Sequence, residues 1–128
     1  MAQEQAGQGN RWRIIECPHS SGSAGQFIRE ELEQHQRKSV VAYLRKCREH
    51  PEGPWWNTYK FKKLTGTEDI YEMKPRAQVR LLGFLPADQP KTFVVTNCFI
   101  KKQRTTPRRE IRKAERARRR YLEAIEGG

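Results

Sequence analysis

Hydrophobic and polar positions alternate in blocks along the chain, and these blocks predict its elements. The apolar-rich run at 11–16 (RWRIIE), which Cys17-Pro18 ends, is typical of a first strand. Small polar residues at 19–25 predict a loop. From Gln26 to about Arg48, apolar residues recur at three- and four-residue spacing, which predicts helix. A polar stretch at 34–38 leaves open whether this segment is one helix or two.

The middle of the chain predicts three strands joined by short turns. The strand-like runs are 70–74, 78–85 and 92–100, and the intervening 75–77 and 86–91 carry residues typical of turns. The run TFVVTNCFI at 92–100 is apolar on both faces, as expected of a buried central strand. These runs predict an antiparallel meander, preceded at 55–66 by a mixed aromatic and basic connector.

The last element is predicted to be a basic helix. Thr106 is a candidate N-cap, Pro107 suits the first helical position, and Glu110 lies in the positively polarised first turn. A thin apolar stripe, with Ala117 beside it, is expected to dock on the sheet: Ile111, Ala114, Tyr121 and Ile125. The order β-α(α)-β-β-β-α predicts an α+β fold, with a small, mainly antiparallel sheet, N-terminal helices and a C-terminal basic helix.

Length and charge narrow the class of protein. The 128 residues suit a single domain at 11–126 after a short disordered lead at 1–10. Lys and Arg number 26 against 15 Asp and Glu, and the excess is concentrated at 101–120, so a polyanion is the expected partner. Three widely spaced cysteines and the lack of a signal peptide or apolar span predict a cytoplasmic protein without membrane association. We expect no metal or small-molecule cofactor, and interpret the Cys17/His19 pair as structural rather than as zinc ligands.

Arg80 is the charged residue inside the apolar strand 78–85. Period two places it on the same face as Leu82 and Phe84, where an unpaired guanidinium has a desolvation cost. Two interpretations are open. The guanidinium meets an anion or opens onto a groove, or it pairs with a local carboxylate such as Glu72.

Bases from all three strands should meet at one end of the sheet if the strands pair as neighbours. Lys74 and Arg76 flank the first turn, while Lys101, Lys102 and Arg104 follow the last strand. Such a cluster would bind a phosphate and stabilise negative charge that develops on it. The alternative is that these are ordinary solvated loop charges.

The chain lacks the sequence motifs of nucleophilic, metal-dependent or paired-carboxylate catalysis. Catalysis by lysine and arginine side chains alone suits RNA as a substrate, because the 2′-hydroxyl of RNA is itself the nucleophile. The protein must then align that hydroxyl, stabilise charge on the phosphorus and move two protons, for which a lysine of lowered pKa amid other cations is a candidate. Trp55, Trp56, Tyr59 and Phe61, interleaved with lysines, are candidates for base stacking, although core packing is the commoner role.

Residues 70–118 resemble the C-terminal half of phage-derived HigB-type toxins of the RelE/ParE superfamily. The motifs that match in order and spacing are Tyr71-Glu72-Met73-Lys74, Val79-Arg80-Leu81, Phe99-Ile100-Lys101-Lys102 and Thr106-Pro107 through Ala114. The segment 63–66 also fits the approach to this hairpin, whereas the first half of the chain agrees only in layout.

The resemblance implies a RelE-like fold and a toxin of a type II toxin–antitoxin system. Such a toxin is an endoribonuclease that cleaves mRNA on the translating ribosome, and a cognate antitoxin, often of helix-turn-helix type, neutralises it. By resemblance, Arg80 contacts the scissile phosphate. The other implied site residues are Lys101 and Lys102 as catalytic groups and Lys74, Arg76, Arg104 and Arg108 as phosphate-binding groups.

Departures from the family pattern keep a second function open. Lys74 stands where arginine is commoner, and lysine retains the charge but lacks the bidentate fork of a guanidinium. The alternative is a non-catalytic growth inhibitor or phage interaction protein, either a ParE-like gyrase binder or a nucleic-acid binder.

Overall fold

The computed structural model describes residues 11–18 and 24–127. The predicted lead at 1–10 and most of the predicted loop at 19–25 lie outside the described residues. The elements are β1 (Arg13–Glu16), α1 (Ala24–Glu30), α2 (Gln34–Glu49), β2 (Phe61–Lys63), β3 (Tyr71–Arg76), β4 (Val79–Phe84), β5 (Thr92–Ile100) and α3 (Arg108–Gly127). They form a small α+β structure, as predicted.

The strands form one mixed sheet in the order β1-β5-β4-β3-β2. The antiparallel meander of β3, β4 and β5 is confirmed, and β1 pairs with β5 in parallel. β5 lies between two strands and is buried along nearly its whole length, as its apolar composition predicted. α1 and α2 cover one face of the sheet and α3 covers the other.

β2 lies inside the segment 55–66, which the sequence predicts to be a connector. Phe61 is buried in the core beneath α1 and α2, and it pairs with Met73 of β3. Lys62 and Lys63 are exposed, which suits an edge strand because charged side chains discourage pairing with other chains. One buried aromatic therefore anchors a three-residue strand that is too short for a periodic signal.

The predicted turn at 75–77 is wrong, because β3 continues through Arg76. The turn consists of Ala77 and Gln78 instead. The pairing of β3 with β4 shifts register between Met73 and Arg76. This irregularity accommodates Pro75, which has no backbone N–H to donate to a ladder.

The two helices that precede the meander are separate, which answers the question that periodicity left open. The break falls at 31–33, just before the polar stretch at 34–38 rather than within it. The backbone N–H of Glu33 donates to Oε1 of Gln36 at 2.9 Å, so a capping interaction marks the start of α2.

α3 begins differently from the prediction. Thr106 does not serve as the N-cap: its hydroxyl donates to Oε2 of Glu72 on β3 at 2.5 Å, and the carbonyl of Pro107 accepts the first helical bonds. The docking stripe is centred on Ala114 and Ala117, which are buried, whereas Ile125 is exposed. None of the described helices has the length and apolar character needed to cross a bilayer.

Candidate functional site

The candidate site lies on the α3 face of the sheet, at the end where α3 begins. Phe61 and Met73 point into the core beneath α1 and α2. Strand alternation therefore turns Lys62 of β2 and Glu72 and Lys74 of β3 to the opposite face. Lys62 and Glu72 are direct partners across the two strands.

Arg80 of β4 lies on this same face, as its spacing from Leu82 and Phe84 predicted. Leu82 and Phe84 pack against Ala114 and Ala117 of α3. Arg80 is paired with Phe99 of β5. Lys101, two residues beyond Phe99, donates its backbone N–H to the carbonyl of Gln78 at 2.7 Å, which keeps it alongside β4.

The pKa of Lys74 responds to the cationic side chains around it. Partial burial lowers the pKa of Lys74, and the positive charge of Lys62 lowers it further. Arg80 and Lys101 act in the same direction, while Glu72 partly opposes them. The structure thus brings together Lys74, Arg80 and Lys101 from three strands, and adds Lys62. We call these four residues the base cluster.

The Arg80 guanidinium is held by its own hairpin. Nη1 donates to the carbonyls of Arg76, Ala77 and Val79 at 3.2, 3.0 and 3.0 Å. Nε is buried and has no hydrogen-bond partner among the described residues. Carbonyls of the turn thus orient the side chain, and one buried N–H donor is left for another acceptor.

Glu72 is the carboxylate within this cationic face. It is 3% exposed, and it accepts a hydrogen bond from the hydroxyl of Thr106. Among the described residues it forms no ion pair with Arg80, so the pairing considered from the sequence is not the one found. Because Glu72 is buried on β3 and Thr106 directly precedes α3, their hydrogen bond fixes the start of α3 beside the base cluster.

The remaining predicted site residues lie outside the cluster. Lys102, Arg104 and Arg108 are exposed. Arg76 turns to the other face, where Nη1 donates to Oγ of Ser39 on α2 at 2.9 Å. The register shift next to Arg76 explains this reversal, because one irregular residue exchanges the two faces of a strand. The catalytic role of Lys102 and the phosphate-binding roles of Arg76, Arg104 and Arg108 stay predictions.

Lys62 is the cluster member that the sequence analysis missed. Its signal was the pattern of a buried aromatic followed by lysines in the connector, which is also the pattern of a short edge strand. The pairing of Lys62 with Glu72 depends on β2 lying next to β3, and sequence spacing does not reveal that neighbour.

The four connector aromatics range from a fully buried ring to a fully exposed one. Phe61 is buried, Trp55 packs edge-on against it with ring centroids 4.7 Å apart, and Trp56 lies against Tyr43. Packing, the commoner role, is confirmed for Phe61 and Trp56, whereas Trp55 packs on Phe61 with one edge and is 39% exposed. Tyr59 is 88% exposed, and it precedes Lys60, whose carbonyl accepts the backbone N–H of Lys74 at 2.8 Å. The exposed ring of Tyr59 thus lies one residue before the backbone partner of Lys74.

Metal-binding geometry is not found in the part of the chain that the structure describes. There, no three His, Cys, Asp or Glu side chains are grouped as a metal site requires. Cys17 is buried against α3, with Sγ 3.9 Å from the carbonyl of Ala117. His19 lies outside the described residues.

Comparison with known families identifies the class of protein. A family model described as "Phage derived protein Gp49-like (DUF891)" matches residues 29–119, from within α1 to within α3. The chain belongs to the Gp49-like family. Gp49-like proteins are relatives of the RelE/HigB-type toxins, which agrees with the resemblance in the motifs. The matched segment contains the whole base cluster of this Gp49-like protein. No curated protein matches the chain.

Proposed function

We propose that this Gp49-like protein is a HigB-type toxin with a RelE-like fold that cleaves RNA. Its substrate is mRNA on the translating ribosome in the cytoplasm, and a cognate antitoxin of helix-turn-helix type neutralises it. One observation carries the proposal: Lys74 of β3, Arg80 of β4 and Lys101, the residue after β5, lie at one end of the sheet, where Arg80 and Lys101 both lower the pKa of Lys74. The resemblance of their motifs to HigB-type toxins supports the choice of substrate and partner.

The reaction needs no activated water, because the RNA supplies its own nucleophile. The 2′-oxygen attacks the adjacent phosphorus and loses its proton to a base. The bond from phosphorus to the 5′-oxygen breaks as an acid delivers a proton to that oxygen. The products are a 2′,3′-cyclic phosphate and a 5′-hydroxyl.

Lys74 is the base in this proposal. A lysine accepts a proton only in its neutral form, and the lowered pKa of Lys74 makes that form more available near neutral pH. Lys101, an ammonium group beside it, is the acid that protonates the leaving oxygen. Lys102, exposed after β5, binds the flanking phosphate.

Arg80 stabilises the charge that develops on the phosphoryl group. An anionic phosphate oxygen is a strong acceptor for the guanidinium donors that the hairpin does not use. The three carbonyls of the hairpin hold the guanidinium in place before substrate arrives. Such preorganisation is what makes electrostatic stabilisation effective.

The test is cleavage by Arg80→Ala. We expect wild-type expression to arrest growth and to produce new 5′ ends in mRNA by primer extension. Arg80→Ala should abolish both, with a loss of about 100-fold or more in cleavage, as for removal of one donor that stabilises the transition state. Arg45→Ala, an exposed arginine on α2, is the matched control and should retain both.

Folding of the variant is checked by circular dichroism and by binding of a co-expressed antitoxin. A folded Arg80→Ala protein that still arrests growth with the wild-type cleavage pattern would refute the catalytic assignment.

A non-catalytic nucleic-acid binder is the second candidate. The observation that favours it is the engagement of Arg80 Nη1 by three carbonyls of its own hairpin, which occupies donors that a phosphate would use. In that case Arg80→Ala should change growth arrest only as much as removal of any other cluster base, and no new mRNA 5′ ends should form.

A further inference from the structure

The outer face of α3 is a second basic surface, separate from the base cluster. Each exposed residue of α3 from 108 to 120 is an arginine, and we call this set the arginine ridge: Arg108, Arg109, Arg112, Arg116, Arg119 and Arg120. At 3.6 residues per turn, the six side chains leave the helix within a sector of about 120°. They form one continuous surface.

The charge of the ridge is compensated at only part of its length. Arg119 is paired with Glu68 and is also affected by the charges of Glu115 and Glu123, and Arg109 lies 3.9 Å from Glu110. The other four arginines form no ion pair among the described residues. Arg112, Arg116 and Arg120 repeat every four residues, a spacing at which like charges destabilise a helix.

The helix dipole adds to this cost. Arg108 and Arg109 occupy the first turn of α3, where the dipole already places positive charge. In its first turn and along the row Arg112, Arg116 and Arg120, the ridge thus places positive charge where its own helix disfavours it. An external polyanion relieves both the repulsion among the arginines and the conflict with the dipole.

We propose that the arginine ridge binds the phosphate backbone of double-stranded RNA. The inference rests on the proposed function in taking RNA as the polyanion. The ridge continues directly from the base cluster, because Thr106, just before α3, is bonded to Glu72 on the cluster face. A duplex segment held on α3 would keep the adjoining RNA strand near the cluster.

The dimensions of the ridge fit a duplex. From Arg112 to Arg120 the helix rises about 12 Å, and a nucleic-acid duplex carries about one charge per 1.7 Å of axis, so several phosphates lie within reach. Regularly spaced arginines on a straight helix meet such a regular charge array without adjustment of the backbone.

The composition of the ridge favours double-stranded RNA over a single strand and over a protein as its partner. The residues from 108 to 120 include no aromatic side chain, whereas proteins that grip single strands stack bases on aromatic rings. Protein interfaces have an apolar core within a polar rim, and each exposed residue of the ridge is an arginine. The ridge therefore suits contacts to phosphates alone.

The experiment compares two triple variants that remove the same charge. Arg112, Arg116 and Arg120 are replaced by Gln on α3. Lys38, Arg45 and Arg48, which are exposed on α2 across the sheet, are replaced by Gln in the matched control. Binding of the full chain to a short labelled RNA duplex, and to one of its strands, is measured by fluorescence anisotropy from about 50 to 200 mM salt.

We expect the α3 variant to lose about tenfold or more in affinity for the duplex at low salt, with a slope of log K against log salt that is less steep by about 2.7, for three lost phosphate contacts. The α2 control should lose less than about threefold. Replacement of the same α3 arginines by Lys should retain most of the affinity, because the charges remain. Circular dichroism checks that all variants keep their helix content.

Equal losses in the α2 and α3 variants would overturn the proposal, because the effect would then follow net charge and not the ridge. A loss of single-strand affinity in the α3 variant as large as its loss of duplex affinity, or no binding of the duplex by the wild type, would also overturn it. The nuclease proposal is tested separately: it fails if the Arg80→Ala variant still cleaves mRNA. A protein that does not cleave but binds duplex through α3 keeps the ridge inference intact.

Discussion

Lys74 combines partial burial with three neighbouring cations, and its lowered pKa has a consequence for pH dependence. As a base, Lys74 acts in its neutral form, so cleavage should increase as pH rises towards its lowered pKa and level off above it.

The folded protein also holds the Lys74 proton less tightly than the unfolded chain does. The contribution of Lys74 to the free energy of unfolding therefore increases as pH rises through the lowered pKa.

Lys62→Met tests the assignment of Lys74 as the base, because the charge of Lys62 lowers the pKa of Lys74 more than any other charge does. Removal of that charge should raise the pKa of Lys74 and move the rise in cleavage rate to higher pH. Lys63→Met is the control: Lys63 is paired with Asp69 at 2.9 Å and should leave the profile in place. The measurement is single-turnover cleavage across a pH series. Identical profiles for the two variants would exclude Lys74 as the base.

Tyr59 is an exposed ring one residue before Lys60, whose backbone is bonded to that of Lys74, and exposed rings can bind unpaired nucleobases by stacking. With RNA as substrate, Tyr59→Ala should weaken binding of a single-stranded oligonucleotide about tenfold, the lower part of the range for loss of one stacked base. Tyr59→Phe should bind as the wild type does, because the ring is retained.

The stability of the Tyr59 variants should not change, since the side chain is 88% exposed. Anisotropy titrations with all three proteins measure the effect. Equal affinity of Tyr59→Ala and wild type would show that the ring has no part in RNA binding.

At the scale of elements, one side-chain hydrogen bond connects β3 to the start of α3. Thr106→Val removes the donor and leaves the buried Glu72 carboxylate without it, which should lower the free energy of unfolding by about 1–3 kcal/mol. Thr105→Val, one residue earlier and exposed, is the control and should change it by less than about 0.5 kcal/mol.

Urea denaturation of both threonine variants provides the measurement. Equal stability of the two would mean that the hydrogen bond from Thr106 to Glu72 does not hold α3 in place.

Elements were predicted well where the signal is local and less well where it is not. The boundaries of β5 agree with the apolar run at 92–100, and the meander follows from turn residues between strand-like runs. β2 was missed, because Phe61 becomes a strand residue only by pairing with Met73. The N-cap at Thr106 was wrong because a buried carboxylate from a distant strand competes for its hydroxyl.

At the scale of the molecule, the two faces of the sheet differ in what covers them. α1 and α2 cover the larger part of the core, including Phe61 and Met73. α3 docks through Ala114 and Ala117, small residues that let the helix approach the sheet closely. The base cluster lies at the end of the sheet where α3 begins. The arginine ridge continues this cationic surface along the outside of α3.

The candidate site was predicted in part. Arg80, Lys74 and Lys101 were named from strand alternation and from the ends of adjacent strands, which are properties of local spacing. Arg76 was grouped with them because it flanks the same turn, yet a register shift sends it to α2. Lys62 entered the cluster through a strand that had no periodic signal.

The sequence by itself determined the elements of the meander, the basic character of the last helix and the motifs of a phage toxin family. These properties depend on residues close together along the chain, where turn chemistry and periodicity act. Only the tertiary structure decided which face each base occupies, which carbonyls hold Arg80 and where the hydroxyl of Thr106 donates. Those outcomes depend on register between strands, and a shift of one residue exchanges the faces of a sheet while local composition stays the same.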